Sequence, residues 1–272
     1  MNGIEEMVSL DRLRDALLTY VGAQPFDHCV VDGFFSDSAA RELAREFIDY
    51  DSSAWFVYDN PIEHKLALND WNKYPGLTYR ALTYLCSPSF VDALADSLRL
   101  RLYADPGLHG GGWHMHGNGG NLNPHLDYHL HPKLQLVRKL NLIVYLAPEL
   151  IPSEHGGHLG LWAHDAAANR PGELVTEIEP IFNRAVLFDT TQNSWHGMSR
   201  TLSVPNGVYR KSLAIYYLTD ATAADFSMRQ RAMFAPRESQ RGSEEVERII
   251  SARMGVETSA SVYVSDKKGA GD

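Results

Sequence analysis

The residues with the clearest chemical potential are His125 and Asp127, which are separated by one position, and the distant His196. In a β-strand, side chains at positions i and i+2 project from the same face, so a strand here would present an imidazole beside a carboxylate. A second imidazole from His196 would complete two nitrogen ligands and one oxygen ligand around a metal ion. Such a set leaves coordination positions open and suits non-haem Fe(II) that must bind oxygen and a co-substrate.

The elements that would position these residues follow from hydrophobic spacing. Amphipathic patterns predict helices that start near Ser9 and near Ser36 or Ser38, two helices over 76–85 and 88–98, and a last helix from Ser243 to about Met254. A short strand is expected over 28–31. From about residue 99, short apolar runs alternate with Gly, Pro and Asn, as is typical of a sandwich or barrel. These runs are Trp113–His116, Leu136–Leu146, Leu159–Trp162, Leu174–Ile178, Ala185–Phe188, Trp195–Met198 and Leu213–Leu218.

Two segments are harder to assign. Residues 52–78 mix five aromatic residues with Asn, Asp, Pro and Lys, which fits either an ordered loop over a site or the ordinary packing of a long connection. The tail from Glu257 is rich in Ser, Gly, Lys and Asp, a composition that predicts disorder.

The order of motifs resembles the 2-oxoglutarate- and Fe(II)-dependent oxygenases, in particular the prolyl 4-hydroxylase-like branch. The resemblance covers roughly residues 110–220. The matching stretches are His125-x-Asp127, Leu140 to Leu146, Gly156-Gly157-His158-Leu159, Ile178 to Arg184, His196-Gly197 and Arg210-x-Ser212. It implies a mainly β fold with flanking helices, built on a double-stranded β-helix core of the jelly-roll or cupin-like type.

The resemblance also implies a co-substrate site. Arg210 stands where the family places the cation that binds the far carboxylate of 2-oxoglutarate, and Tyr145 matches a tyrosine that reaches the same carboxylate. Arginine suits this role because its planar fork matches a carboxylate and stays charged when buried. Ser212, and by alternation from Tyr145 also Asn141, would face the same pocket. Arg138 and Arg184 are alternatives that match the pattern less well.

The other histidines must be weighed against this metal site. His114 with His116, and His129 with His131, form same-face pairs of the kind that begins a cupin metal site. A cupin site also expects a glutamate a few residues later, and the candidate positions hold Gly120, Asn121, Gln135 and Leu136. We therefore expect these four histidines to line the mouth or to be hydrogen-bonded, and His155 and His158 to stand outside the metal site.

The implied reaction is hydroxylation of an unactivated C–H bond at Fe(II), with O2 and 2-oxoglutarate as co-substrates and with 2-oxoglutarate decarboxylated to succinate and CO2. Asp127 favours this outcome, because the related halogenases lack that carboxylate. No catalytic residue is expected beyond the metal ligands. Desaturation, epimerisation or cyclisation at the same iron remains open, as does a cupin-like sugar-binding or isomerase module without 2-oxoglutarate. Five residues near the metal motifs are candidates for the substrate entrance: Trp113, His116, Asn123, Asn193 and Trp195.

Composition limits the remaining classes. The 272 residues are 44% hydrophobic, which suffices for one sizeable core. We expect one domain overall, with an N-terminal helical region over 1–98, a catalytic core over 99–222 and a C-terminal helix and tail over 223–272. The net charge of -9 without a basic run predicts no nucleic-acid or membrane partner. Two cysteines and the acidic N-terminus favour a cytoplasmic protein. The resemblance leaves a prolyl or other amino-acid, peptidyl, saccharide or natural-product substrate open. The oligomeric state stays open.

Overall fold

A computed structural model describes residues 7–228 and 231–255, together with Tyr263. From residue 99 onward strands are the main regular element, as the apolar runs predict. The fourteen strands of the described residues are β1 (His28–Asp32), β2 (Phe56–Asn60), β3 (Glu63–Leu68), β4 (Tyr103–Ala104), β5 (Gly112–His116), β6 (Asn121–Leu122), β7 (His125–Leu126), β8 (Val137–Tyr145), β9 (Leu159–Asp165), β10 (Arg170–Ile178), β11 (Arg184–Asp189), β12 (Trp195–Met198), β13 (Arg210–Thr219) and β14 (Met233–Phe234).

Four of the helices lie before the main β-region. The first two follow Ser9 and Ser36, where the sequence predicts that helices start. The described helices are α1 (Leu10–Leu17), α2 (Asp37–Arg45), α3 (Gly76–Leu85), α4 (Pro88–Leu98), α5 (Pro152–His155) and α6 (Glu244–Met254). Ser87 and Ser243 cap α4 and α6, because each hydroxyl accepts a hydrogen bond from the third backbone N–H of its helix. Pro88 opens α4, where its missing N–H costs nothing.

The strands form two antiparallel sheets. The larger sheet has nine strands in the order β1-β11-β8-β13-β5-β3-β2, with β4 added beside β13 and β6 beside β3. The smaller sheet has five strands in the order β10-β9-β12-β7-β14. Side chains of both sheets meet in one apolar cluster that includes Tyr145, Phe188, Leu159 and Leu161. This face-to-face arrangement is the double-stranded β-helix that the motifs implied.

The period-two alternation of the larger sheet separates its apolar outer face from a polar inner face. On β13, Leu213, Ile215 and Tyr217 pack in the cluster that also contains side chains of α1 to α4. Arg210, Ser212, Ala214 and Tyr216 alternate with them and line a pocket between the two sheets. The helices therefore cover the outer face of the larger sheet, and the inner face is left for chemistry.

The segment over residues 52–78, which the sequence left open between a loop over the site and a long connection, is mostly regular structure. Strands β2 and β3 form a hairpin at the edge of the larger sheet, and β3 pairs with β5 through Leu66 and Met115. A 3-10 turn at Trp71–Lys73 then leads into α3. The hairpin brings Tyr58, Glu63 and Lys65 to the pocket.

Two expectations concern the remaining parts of the chain. None of the helices within 7–228 and 231–255 is both long enough and apolar enough to span a membrane. The predicted disorder from Glu257 falls outside the described residues, apart from Tyr263. The Tyr263 carbonyl accepts hydrogen bonds from the Asp59 N–H (2.8 Å) and from Asn60 Nδ2 (3.1 Å) on β2.

Asn183 joins the N-terminal segment to the larger sheet, and this contact generates a stability prediction. Its Nδ2 donates to the Phe35 carbonyl (2.8 Å), and its Oδ1 accepts from the Phe35 N–H (2.9 Å). Its backbone is also left-handed, with φ of 63°. We expect Asn183→Ala to lower the free energy of unfolding by about 2–4 kcal/mol, because two buried backbone groups lose their partners. Urea denaturation measures this loss.

Asn169→Ala is the matched control, because Asn169 is also left-handed, with φ of 48°, but is exposed. It should lose only the backbone contribution of about 1–2 kcal/mol. Equal losses at the two positions would show that the hydrogen bonds to Phe35 contribute nothing.

Candidate metal centre and pocket

Two imidazoles and one carboxylate meet at the inner face of the two sheets. His125 lies on β7, His196 lies opposite it on β12, and Asp127 follows β7 directly. Nε2 of His125 is 3.8 Å from Asp127 Oδ1, and Nε2 of His196 is 3.7 Å from Asp127 Oδ2. One potential ligand atom from each residue lies within 4.8 Å of the others, and all three residues are buried. The group can therefore hold a metal ion.

The second nitrogen of each imidazole holds its ring in place. Nδ1 of His125 is 3.0 Å from the Asn123 carbonyl, and Nδ1 of His196 is 2.9 Å from the Ser194 carbonyl. A carbonyl only accepts, so Nδ1 carries the proton and Nε2 keeps its lone pair for a metal. Burial also lowers the pKa of His125 to about 3, with a further contribution from His196, which keeps that ring neutral.

A glycine allows the two metal strands to approach each other. A Cβ at Gly197 would lie 2.6 Å from the Asn123 carbonyl oxygen, which no side chain can accommodate without a backbone shift. Asn123 is itself anchored, because its Nδ2 donates to the Ala235 carbonyl (3.0 Å) and to Gln240 Oε1 (2.6 Å). In the His-Gly pair at 196–197, the histidine is thus a potential metal ligand, and the glycine leaves room for the neighbouring backbone.

Asp127 is held by residues on both sides. The Tyr216 hydroxyl donates to Asp127 Oδ2 (3.1 Å), and Nη1 of Arg138 is 3.9 Å from Oδ1. The Arg138 guanidinium lies between the rings of Tyr128 and Tyr216, 3.8 and 3.6 Å from their centroids. Burial raises the pKa of Asp127, but His196 and Arg138 more than offset it, so the pKa lies below its usual value and the carboxylate is ionised.

At another part of the pocket, Arg210 is a buried cation. Its Nε donates to the Gly157 carbonyl (2.8 Å), and its Nη2 donates to the Tyr145 hydroxyl (3.3 Å). Among the described residues, no carboxylate forms an ion pair with it. Burial lowers the pKa of Arg210, although an arginine stays charged in proteins. A buried cation without a protein counter-ion is costly, so the site is suited to an anionic ligand.

Further polar groups face the same pocket. His116 lies directly opposite Arg210 in the strand register, is only 2% exposed, and has no hydrogen-bond partner at either nitrogen in the described structure. The Asn141 Oδ1 is also buried without a partner in the described structure, and Ser212, which is opposite Tyr145 in the strand register, lines the same pocket. Burial and the neighbouring Arg210 hold the pKa of His116 far below its usual value, so it is neutral. Buried polar atoms of this kind normally have a partner, and a bound ligand would supply it.

The sequence-predicted substrate residues divide into two groups. His116 lines the pocket, and Asn123 supports His125 through its backbone. Trp113 is fully buried in the outer core and stacks on Phe47 at 4.5 Å, and Trp195 is buried in a separate apolar cluster. Asn193 is exposed in a turn before β12. These last three side chains do not line the pocket. Trp113 and Trp195 each precede an inward-facing histidine in a strand and therefore point to the opposite face.

The competing histidines have other environments. His114 lines the pocket beside His116. His129 Nε2 pairs with Asp225 Oδ1 at 2.6 Å, and His131 Nδ1 accepts from the backbone N–H groups of Lys133 and Leu134. His129 and His131 are thus hydrogen-bonded and His114 lines the pocket, as expected, whereas His116 is buried opposite Arg210 with no hydrogen-bond partner in the described structure. His155 Nδ1 accepts from the Ile151 N–H, and His158 lies 3.8 Å from Glu179, so both stand apart from the metal triad.

Sequence reasoning missed several residues around the pocket. Tyr216 continues the alternation from Arg210 and Ser212 and could have been found from that pattern alone. Arg138 was weighed only as a co-substrate cation, and the structure places it at Asp127 instead. No local signal points to Glu63, Lys65 or Arg253, because their position depends on how the hairpin and α6 pack.

Comparison with known proteins agrees with this geometry. Residues 111–218 match the family model of the 2OG-Fe(II) oxygenase superfamily. No curated protein matches the sequence. The matched segment includes the metal triad, Arg210 and the strands that carry them. This match decides against a cupin-like module that works without 2-oxoglutarate.

Several solved structures share the fold. A prolyl hydroxylase from Trichoplax adhaerens, in complex with a hypoxia inducible factor peptide fragment, has a TM-score of 0.53 at 19% identity over 77% of this chain and 90% of that one. A Pseudomonas putida prolyl-4-hydroxylase has a TM-score of 0.52 at 19% identity over 78% of this chain and 100% of that one. A Phytophthora capsici prolyl 4-hydroxylase structure has a TM-score of 0.52 at 20% identity over 89% of this chain and 75% of that one. Residues 111–218 thus form a 2OG-Fe(II) oxygenase domain, which indicates an Fe(II)- and 2-oxoglutarate-dependent dioxygenase, and the chain has the fold of these prolyl hydroxylase structures.

Proposed function

We propose that this dioxygenase hydroxylates an unactivated C–H bond of an organic substrate, with His125, Asp127 and His196 as its iron ligands. The observation that carries the proposal is the convergence of this buried triad in one pocket with Arg210, a buried cation that has no carboxylate partner among the described residues. A metal ion and a dianionic keto acid would satisfy both features together.

The donor set fits Fe(II). Imidazole nitrogen and carboxylate oxygen both suit this ion, and one carboxylate offsets part of its charge. Nδ1 of each ring donates to a backbone carbonyl, so each Nε2 keeps its lone pair for the ion. Three ligands on one side leave room for a bidentate co-substrate and for oxygen.

We assign the binding of 2-oxoglutarate to Arg210, Tyr145, Ser212 and Asn141. The Arg210 guanidinium would pair with the carboxylate far from the metal, and the Tyr145 hydroxyl, which already contacts Arg210, would donate to it. Burial raises the pKa of Tyr145, so its hydroxyl keeps the proton that it donates. Ser212 lies on the same face of β13 as Arg210 and supplies a further hydroxyl.

When bound, iron, 2-oxoglutarate and O2 would together supply the oxidant for a C–H bond; one oxygen atom would enter succinate, the other the hydroxylated substrate, and CO2 would be released. The protein's own task is to hold the reactants in place, since a small misplacement of the reacting bond costs much of the rate. Tyr216 and Arg138 fix the Asp127 carboxylate, and Asn123 and Ser194 fix the two rings. Prolyl, peptidyl, saccharide and natural-product substrates all remain within this proposal.

The first prediction concerns the co-substrate cation and the metal carboxylate. Arg210→Ala should raise the 2-oxoglutarate KM roughly thirtyfold or more, because the ligand's carboxylate loses its buried partner. Asp127→Ala should abolish metal-dependent turnover, because the ion loses its only carboxylate. The measurement is succinate formed by anaerobically iron-loaded protein after addition of 2-oxoglutarate and air.

Arg200→Ala is the matched control, since Arg200 is exposed and pairs with Glu177 at 2.8 Å on the surface. It should leave succinate formation unchanged. The assignment would be lost if Arg210→Ala kept the wild-type KM, or if Asp127→Ala turned over 2-oxoglutarate as fast as the wild type.

A second prediction tests the support of the metal carboxylate. Tyr216→Phe removes the hydroxyl that donates to Asp127 Oδ2, so Fe(II) affinity should fall roughly tenfold to a hundredfold. Anaerobic Fe(II) titration against a competing chelator measures the change.

Tyr217→Phe is the control, because that adjacent hydroxyl donates to the Leu85 carbonyl on the outer face (3.1 Å). It should alter stability but not metal affinity. Equal affinity losses in the two variants would contradict a specific role for Tyr216.

A further inference from the structure

A second groove, of about 450 Å³, adjoins the metal pocket and shares Tyr58, Lys65, His114, Tyr128 and Arg253 with it. It forms the mouth through which a substrate would reach the metal. The structure places three cationic side chains along it, Lys65, Arg231 and Arg253, and the described lining includes no aspartate or glutamate. The mouth is therefore cationic, although the whole chain has a net charge of -9.

Glu63 positions two of these cations without neutralising them fully. Its Oε1 is 3.3 Å from Lys65 Nζ, and its Oε2 is 2.8 Å from Arg253 Nη1. The Glu63 side chain is 2% exposed, whereas those of Lys65 and Arg253 are 13% and 11% exposed. One buried carboxylate between two cations leaves one positive charge in excess. An anion at the mouth would complete the charge balance.

Aromatic rings share this mouth with the cations. The rings of Phe56 and Tyr58 are 4.9 Å apart, and each is 5.5 Å from the ring of Tyr263. Lys65 Nζ lies 4.8 Å from the Tyr58 centroid, and the Arg253 guanidinium lies 4.6 Å from that of Tyr263. Phe56 is 51% exposed, so part of this apolar surface remains open for contact. Exposed rings of this kind favour a flat, apolar group on a ligand.

The mouth cations are distinct from the co-substrate cation. Arg210 is on β13, and Lys65 is on β3, with β5 between them in the sheet. Two strand spacings separate β13 from β3 by roughly 10 Å. The 2-oxoglutarate carboxylate at Arg210 would thus leave Lys65 and Arg253 available to a second anion.

We propose that this mouth binds the oxyanion of a small-molecule substrate, a phosphate or carboxylate attached to a flat ring system, through Lys65, Arg253 and Arg231. The proposal rests on the proposed function, because it names the substrate class of the same active site. The oxyanion pairs with the cations, the ring lies against Phe56, Tyr58 and Tyr263, and the remainder of the molecule extends toward the triad.

The experiment uses full-length protein loaded with Ni(II) and 2-oxoglutarate, so that no turnover occurs. Phenyl phosphate, benzoate and neutral benzyl alcohol are titrated as probes by ligand-observed NMR. We expect at least one of the two anions to bind, and the tighter one identifies phosphate or carboxylate as the recognised group. Benzyl alcohol should bind roughly tenfold more weakly, because it forms no charge-assisted hydrogen bond.

Lys65→Gln is the decisive variant, because the Glu63 pair with Arg253 remains to hold the local structure. It should weaken anion binding roughly tenfold, and Arg231→Gln should weaken it in the same direction. Arg241→Gln is the control, since Arg241 is exposed and pairs with Glu238 at 2.8 Å outside the mouth. It should bind the probes as the wild type does.

Three outcomes would overturn the proposal: neither anion binds, benzyl alcohol binds as well as the anions, or Lys65→Gln binds them unchanged. Succinate formation is measured on the same proteins to separate this proposal from the proposed function. An increase in 2-oxoglutarate KM in Lys65→Gln as large as that in Arg210→Ala would assign the mouth to the co-substrate and overturn the substrate assignment. Absence of metal-dependent succinate from the wild type would instead refute the proposed function.

Discussion

The pairing of β7 with β12 is the constraint on which the site depends. The register places His196 opposite His125, although 71 positions separate them in the chain, and Asp127 lies one step beyond. The contact is short, since β7 has only two residues, so it relies on neighbours: β14 pairs on its other side, and Phe234 stacks on the His125 ring at 5.0 Å. Gly197 permits the close approach. A slip of one residue in either strand would turn that strand's imidazole away from the pocket.

Buried charge organises the rest of the pocket. Asp127 is surrounded by donors and cations, so its ionised form is stabilised before any metal binds. Arg210 is surrounded by a carbonyl, a hydroxyl and the neutral His116, which solvate it without cancelling its charge. A buried cation without a counter-ion destabilises the folded protein, and a bound carboxylate would offset this penalty. The pocket therefore has separate places for a cationic metal and an anionic co-substrate.

Much of this arrangement could be predicted from the sequence because it follows from alternation within strands. His125, Asp127 and the Arg210–Tyr216 strand depend on local pattern and on a recognisable order of motifs. The same rule would have placed Trp113 and Trp195 on the outer faces, since each adjoins an inward-facing histidine. What the sequence could not show was the hairpin over 56–68, because its polar composition concealed two strands whose pairing depends on β5. The contact of Arg253 with Glu63 was also hidden, since it joins two segments 190 residues apart.

The division of the chain explains why the class of this enzyme is clearer than its substrate. All proposed metal and co-substrate residues lie within residues 111–218, the part that matches the oxygenase family. Phe56, Tyr58, Lys65, Arg231, Arg253 and Tyr263, which form the cationic and aromatic mouth, all lie outside that part. The hairpin and α6 reach the pocket from opposite ends of the chain and meet at Glu63. The residues proposed for chemistry and those proposed for recognition thus lie in different segments, and Glu63 joins two of the latter in one buried ion-pair cluster. A change in the hairpin or in α6 can therefore alter what enters the pocket while the β-sheet face that holds the metal keeps its geometry.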